Sequence, residues 1–387
     1  MSKGAEQTPV ISVEEFLKDL KTLIEIESHS WDPAGVQRVA DVFRGWFTEL
    51  GWECEELHFG DEVGPVLKIC NRPAEVYDIT YVGHMDTVYP AGTVAQRPLR
   101  MEGDLLYGPG VCDMKQGDLA MYYIARILSK ETLNKLNICM LFTPDEEISS
   151  VFTKSYLGQV AAQSKRVFIM EAQSLEGRTH CHARPGKRSY KITFHGKACH
   201  AGFMFEREHA SAVEELGQWI CALAGLRSRD KHTTVNIAPV SGGQATNIVA
   251  DEATLEVESR FYLPEEGERI RAAVEQMADH PFVKGVTVEI VKEGYTPAWN
   301  TSEETFRYIE QVREVARSIG QEFKVATRGG LSDANTMAQF CGVVLDGMGP
   351  AGQGGHSLDE KLDVTTIEPL IKLCVALMDA MATEKEE

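Results

Sequence analysis

Apolar positions recur at helical spacing over residues 13–26 and 36–50. In the second stretch Val36, Val39, Phe43, Trp46, Phe47 and Leu50 fall on one stripe. Short apolar runs at 52–58, 66–70 and 78–82 predict strands. A helix over 116–128 follows, then strands at 136–142 and 166–170. Such alternation predicts an α/β domain of three layers, with helices on both faces of a mostly parallel sheet. The texture changes near Ser189. Residues 189–195 and 253–263 alternate, the latter with Ala253, Leu255, Val257 and Phe261 on one face and Ser259 breaking the row. Helices over 211–226 and 266–278 and an alternating run at 286–291 complete a small α+β domain whose sheet carries helices on one face. After Pro297 the first texture returns, with a helix over 303–319, a strand at 343–345 and a closing helix over 366–381. The expected organisation is a catalytic domain in two parts, 1–184 and 298–387, interrupted by an inserted domain, 185–297.

A chain of 387 residues exceeds one ordinary core, which agrees with two domains. The formal net charge of -19 argues against nucleic acid and anionic membrane as partners, since neither would be attracted. The nine cysteines contain no C-x-x-C pair, and several sit in apolar runs, so reduced core thiols in a reducing compartment are expected. The first eight residues hold no apolar signal core, and no apolar run of about 18 residues occurs. The expectation is a cytoplasmic protein.

Candidate chemistry gathers where strands end. YVGHMDTVYP (81–90) runs from a strand into a loop bearing His84 and Asp86. Residues two apart on an extended chain share a face, so an imidazole ligand with a carboxylate behind it fits here. A satisfied histidine near a strand end would read alike. YGPGVCDMKQG (107–117) puts Asp113 in a bent loop before a helix, where an N-cap aspartate is the plain alternative. FTPDEEI (142–148) ends an apolar strand with three adjacent acids, a costly arrangement unless a cation or solvent relieves it. Adjacent side chains diverge, so one carboxylate suits a metal while its neighbour faces a substrate as general base. FIME (168–171) ends another apolar strand at Glu171, and GMGPAGQGGHS (347–357) carries His356 on a glycine-rich loop. His84, Asp113, Glu147, Glu171 and His356, with Asp86 and Glu146 beside them, are the count that two ions sharing a carboxylate need. Imidazoles and carboxylates without thiolates suit Zn²⁺, Co²⁺ or Mn²⁺.

HMDTVYP, YGPGVCDMK, PDEE, the strand-end Glu171, GKACHAG, GGLSDAN and GPAGQGGHS, in that order, resemble one family. It is the zinc-dependent amidohydrolases that include glutamate carboxypeptidase (carboxypeptidase G), aminoacylase, acetylornithine deacetylase and succinyl-diaminopimelate desuccinylase. The resemblance spans about 15–380, and its wording is nearest to the glutamate carboxypeptidase branch. It implies a pair of divalent metal ions, zinc foremost, bridged by Asp113. One ion would be completed by His84 and Glu171, the other by Glu147 and His356. Asp86 would lie behind His84, and Glu146 would be the general base. The inserted domain would serve dimerisation and act as a lid, with His200 reaching a neighbouring subunit's site in a homodimer. Asn247 and Arg260 would hold the substrate's carboxylate, and Gly329 and Gly330 would let backbone approach it. Cys199 and Met114 depart from the family's usual residues, and a cis Asp113–Met114 peptide is expected.

The activity so implied is hydrolysis of an amide bond next to a free carboxylate in a small peptide or N-acyl amino acid. An aminoacylase or dipeptidase on the same scaffold is the alternative. A binding module without chemistry is disfavoured by the intact Glu146. A thiol hydrolase using Cys199 beside His200 is disfavoured because neighbours on a strand point to opposite faces.

Overall fold

A computed structural model describes residues 11–385, so the reading of the first eight residues, and of Glu386 and Glu387 in the charged tail, lies outside the described residues. Among the described residues two compact units form. The first comprises 11–183, Thr301–Arg328 and 332–385; the second comprises Arg184–Asn300 and Gly329–Leu331.

The first unit is built on a six-stranded sheet. Its order is Glu53–Leu57, Val66–Cys70, Ile138–Thr143, Ile79–His84, Val167–Ile169 and Val344–Leu345. The last four run parallel, and the first two add an antiparallel edge. Ile79–His84 and Ile138–Thr143 are buried along their whole length, as central parallel strands covered on both faces should be. Strand periodicity divides their side chains. Ile138, Met140, Phe142, Ile79 and Tyr81 join one core, in which Phe142 stacks on Phe43 of the Pro33–Glu49 helix at 4.6 Å. The opposite face carries Cys139, Thr80 and His84, and there Thr80 bonds Ser164, just past the Lys154–Ala162 helix, at 2.7 Å. The layered, mostly parallel α/β arrangement read from the sequence is therefore present. The closing helix, Ile367–Glu384, packs against Lys115–Ile127 and Glu303–Ser318.

A second sheet of this unit had no signal in the chain. Arg100–Glu102, Leu105–Tyr107, Lys361–Asp363, Gly349–Gln353 and Ala172–Ser174 pair in that order. Each strand is short, and the Gly349–Gln353 strand (GPAGQ) reads as a loop. Long-range pairing alone makes it a strand.

The second unit is an antiparallel sheet in the order Thr234–Gly242, Glu252–Phe261, Gly186–His195 and Thr287–Thr296. Tyr190, Ile192 and Phe194 lie opposite Val257, Leu255 and Ala253, and this row packs against Trp219 and Leu216 of Ala212–Ala224 and Ile270 and Val274 of Pro264–Asp279. Ser259, the break in the apolar row, is buried and donates to the Arg188 carbonyl at 3.2 Å. The strand at Thr234–Gly242 was not anticipated. It is mostly exposed, and its pairing slips between Ile237 and Val240, around a cis Ala238–Pro239 bond, so its apolar residues do not alternate.

Candidate metal centre

The parallel strands deliver the acids and imidazoles to one place. His84 is the last residue of Ile79–His84, on the face shared by Thr80 and Val82, and is buried. Its Nδ1 lies 3.0 Å from the Asp86 carbonyl and 3.3 Å from Asp86 Oδ1. Its Nε2 faces Asp113 Oδ1 at 3.3 Å and Glu171 Oε1 at 3.5 Å. Asp86 does more than stand behind the imidazole. Ser30 donates to its Oδ2 at 2.6 Å, and the backbone N–H groups of Glu146 and Glu147 reach its two oxygens at 3.2 Å each. One buried carboxylate thus fixes His84 and the turn that carries the acidic pair.

Asp113 precedes the Lys115–Ile127 helix across a cis Asp113–Met114 peptide bond. Its Oδ1 faces His84, while its Oδ2 faces His356 Nε2 at 3.2 Å. His356 also meets Glu147 Oε2 at 2.9 Å. The glycine-rich loop has a steric purpose here: a Cβ on Gly355 would stand 2.7 Å from Asp113 Oδ2. Two groups of ligand atoms, His84 with Asp113 and Glu147, and His84 with Glu146 and Glu171, each lie within 4.8 Å of one another.

Electrostatics agrees with a site short of positive charge. Burial pushes up the carboxyls of Glu146 and Glu171, and raises that of Glu147 to about 7 against the pull of His356. Burial also opposes ionisation of Asp113, but His356 and His84 outweigh it and hold that carboxyl below its usual range. His356 is driven up to about 10 by Asp113 and Glu147. His84 rises too, its carboxylate partners overcoming burial. Carboxyls pushed up and imidazoles pushed up side by side mark a cluster in which negative charge outweighs positive. Among the described residues His84 Nε2 and Glu147 Oε1 are buried without a hydrogen-bond partner, so the donor set fits divalent ions.

The other candidate residues lie in the second unit. His200 is exposed and its Nδ1 accepts from Gly202 N at 3.1 Å. The Asn247 carbonyl accepts from Ala201 N at 2.9 Å, so His200 and Asn247 sit on adjoining segments. Arg260 pairs with Glu258 at 2.8 Å and donates to the Gly329 carbonyl at 2.7 Å, and a Cβ on Gly330 would stand 3.4 Å from Arg184. The structure thus gathers His200 with Asn247, and Arg260 with the Gly329–Gly330 turn.

Glu360 was missed. Its Oε1 accepts from Cys112 N and Asp113 N at 2.8 and 3.0 Å, and its Oε2 from Gly110 N at 2.9 Å and the Tyr89 hydroxyl at 2.6 Å. One buried carboxylate holds the whole Asp113 loop. In the chain it is an acid after a glycine-rich stretch, with no signal of that duty. Asp118 was also missed. It lies one helical turn from Met114 and is buried with both oxygens unpartnered among the described residues.

Layered sheets, acids at strand ends and an imidazole on each side of one aspartate make a candidate metal centre. The chain belongs to peptidase family M20/M25/M40, whose profile matches residues 80–380. It is 25% identical over 370 residues to carboxypeptidase G2 of Pseudomonas sp. (strain RS-16), covering 94% of this chain and 88% of that protein. A tripeptidase from Staphylococcus aureus subsp. aureus Mu50 shares the fold with a TM-score of 0.78 at 22% identity, over 97% of this chain and 100% of that one. So does the YxeP protein of Bacillus subtilis, described as a dinuclear metal-binding peptidase, with a TM-score of 0.67 at 16% identity over 96% and 98%. No helix among the described residues is long and apolar enough to cross a membrane.

Proposed function

We propose that the chain is a two-metal exopeptidase that cleaves an amide bond next to a free carboxylate, with glutamate as the residue released. One observation carries the reading: the two oxygens of Asp113 face different imidazoles, His84 and His356, each with a further carboxylate beside it. His84, Asp113 and Glu171 would hold one divalent ion, and Asp113, Glu147 and His356 the other, zinc foremost. When bound, such ions polarise a carbonyl and make water acidic. Glu146 is the proton carrier in this reading. Its carboxylate lies within 4.8 Å of ligand atoms of His84 and Glu171, so it would take a proton from water and return it to the leaving amine. Asp86 orients His84 and the Glu146 turn, and Glu360 keeps Asp113 in place. Arg260 and Asn247 would receive the substrate's terminal carboxylate, Arg260 by a planar two-point contact that lysine cannot copy. The second unit would pair two copies of the chain, and His200 would serve the partner's site. A cytoplasmic, reducing setting would keep the scattered thiols reduced.

The test is a panel of N-acyl amino acids and dipeptides ending in Glu, Asp, Ala or Leu, run with Zn²⁺, Co²⁺ and Mn²⁺ after chelation. Metal-restored hydrolysis with preference for a C-terminal Glu is expected. Preference for Ala or Leu would replace the glutamate reading by an aminoacylase or dipeptidase. Hydrolysis indifferent to chelator would overturn the metal mechanism.

A further inference from the structure

The first unit holds a thiol pair that the hydrolytic site does not use. Cys70, at the end of Val66–Cys70, and Cys139, in Ile138–Thr143, are direct partners in the antiparallel register. Opposed residues of an antiparallel pair stand about 4.5 or 5.5 Å apart at Cα. A disulfide needs about 4.4–6.8 Å. Both side chains point to the face away from the Phe142 core and form a small buried cluster with Tyr77. Cys70 donates to the Tyr77 hydroxyl oxygen at 3.3 Å. A surface cavity of about 320 Å³, lined among others by Cys70, Lys68, Glu55 and Tyr77, opens onto Cys70. Lys68 Nζ sits 5.5 Å from the Tyr77 ring centre, which places a positive charge at that mouth.

We propose that Cys70 and Cys139 are an oxidative modification site, a cross-strand dithiol that a small hydroperoxide converts reversibly to a disulfide. Cys70 is the attacking sulfur and Cys139 the resolving one. The neighbouring Cys139 thiol, helped by Tyr77 and Lys68 and opposed by burial and Glu55, holds the Cys70 thiol below its ordinary range. The Cys139 thiol is pushed up by Cys70 beside it and by burial. The cavity mouth lies on the side of Cys70, whereas Cys139 is fully buried. In the first step the Cys70 thiolate attacks the peroxide oxygen. The O–O bond breaks, an S–O bond forms, and the departing alkoxide takes a proton to leave as alcohol. In the second, Cys139 sulfur attacks the Cys70 sulfenic acid. An S–S bond forms, the S–O bond breaks, and the hydroxide leaves as water with the Cys139 proton. Two thiols lose two electrons and the hydroperoxide gains them. Opposed Cβ atoms in a sheet are about 4.5–5.5 Å apart, wider than the roughly 3.8 Å of a relaxed disulfide. The product would therefore be strained and readily reduced, a reversible bond rather than a structural one.

The intact enzyme is reduced, exposed to tert-butyl hydroperoxide, alkylated under denaturing conditions, digested and mapped by mass spectrometry. A fragment joining the Cys70 and Cys139 peptides, lost on treatment with dithiothreitol, is expected. Cys139→Ser should stop the reaction at a Cys70 sulfenic acid that dimedone traps. Two results would overturn the proposal. One is that both cysteines stay fully alkylatable after exposed Cys221 has been oxidised. The other is that the joined fragments pair either cysteine elsewhere. The map of the unmutated chain decides even if the serine variant does not fold.

Discussion

Single side chains decide the chemistry proposed for this site, and three of them make separable predictions. Glu146→Gln keeps the shape of the side chain and removes the proton carrier. Turnover should fall by about 10²–10⁴-fold with metal content unchanged, as checked by elemental analysis beside kinetics. Glu360→Gln keeps the volume but gives up half of the acceptor capacity that holds Gly110, Cys112 and Asp113. Metal affinity should weaken by about 10–100-fold, the usual effect of disturbing what orients a ligand, and competition with a chromogenic chelator measures it. Asp118 lies outside the ligand set. Burial pushes its carboxyl well above the ordinary range, so the folded protein keeps it protonated where the unfolded chain has lost that proton. The folded state then binds more protons, and this group's contribution falls as pH rises above the unfolded value of about 4. Asp118→Asn removes that slope. The variant's stability advantage in urea should be larger at pH 8 than at pH 5, and an equal advantage at both would show Asp118 ionised in the fold.

At the scale of elements, the site depends on how closely the Lys115–Ile127 helix approaches the sheet. A Cβ at Gly117 would stand 2.0 Å from the Met170 carbonyl and 2.8 Å from Met114 Cε. The first is backbone, one residue before Glu171, so the helix or the strand end must shift. Gly117→Ala gains helix propensity, yet it should destabilise by about 1–3 kcal/mol through overpacking and weaken metal binding as Glu171 moves. Denaturant unfolding and metal titration together check this. The same closeness recurs at the short sheet that includes Gly349–Gln353. A Cβ at Gly349 would stand 2.2 Å from the Met170 carbonyl, so both neighbours of that strand end are glycines.

For the whole molecule, the proposal that His200 serves a partner's site makes a quantitative prediction. Mixing Glu146→Gln and His200→Ala chains gives, at random pairing, one intact site in half of the dimers. About one quarter of wild-type activity should return, although each variant alone is nearly inactive. Sedimentation must show mixed dimers in the same sample; mixed dimers without recovery would place His200 outside the partner's site.

Local pattern determined a good deal by itself. Central strands such as Ile138–Thr143 and Ile79–His84 announce themselves because burial on both faces demands a continuous apolar run. A histidine or acid at or just past the end of such a run was conspicuous for the same reason, since nothing in a strand's own energetics asks for His84, Glu147 or Glu171 there. The alternating strands around Val257 and Ile192 were legible too, because one-sided burial has a period of two. What only the tertiary structure decided is whatever rests on partners distant in the chain. GPAGQ became a strand because Ala172–Ser174 and Lys361–Asp363 flank it. Thr234–Gly242 paired despite showing no alternation. Glu360 serves a loop about 250 residues earlier in the chain, and Asp86 bonds Ser30 and the Glu146 turn at once. A backbone hydrogen bond is satisfied by any carboxylate brought near it, so no residue type or spacing marks the one chosen.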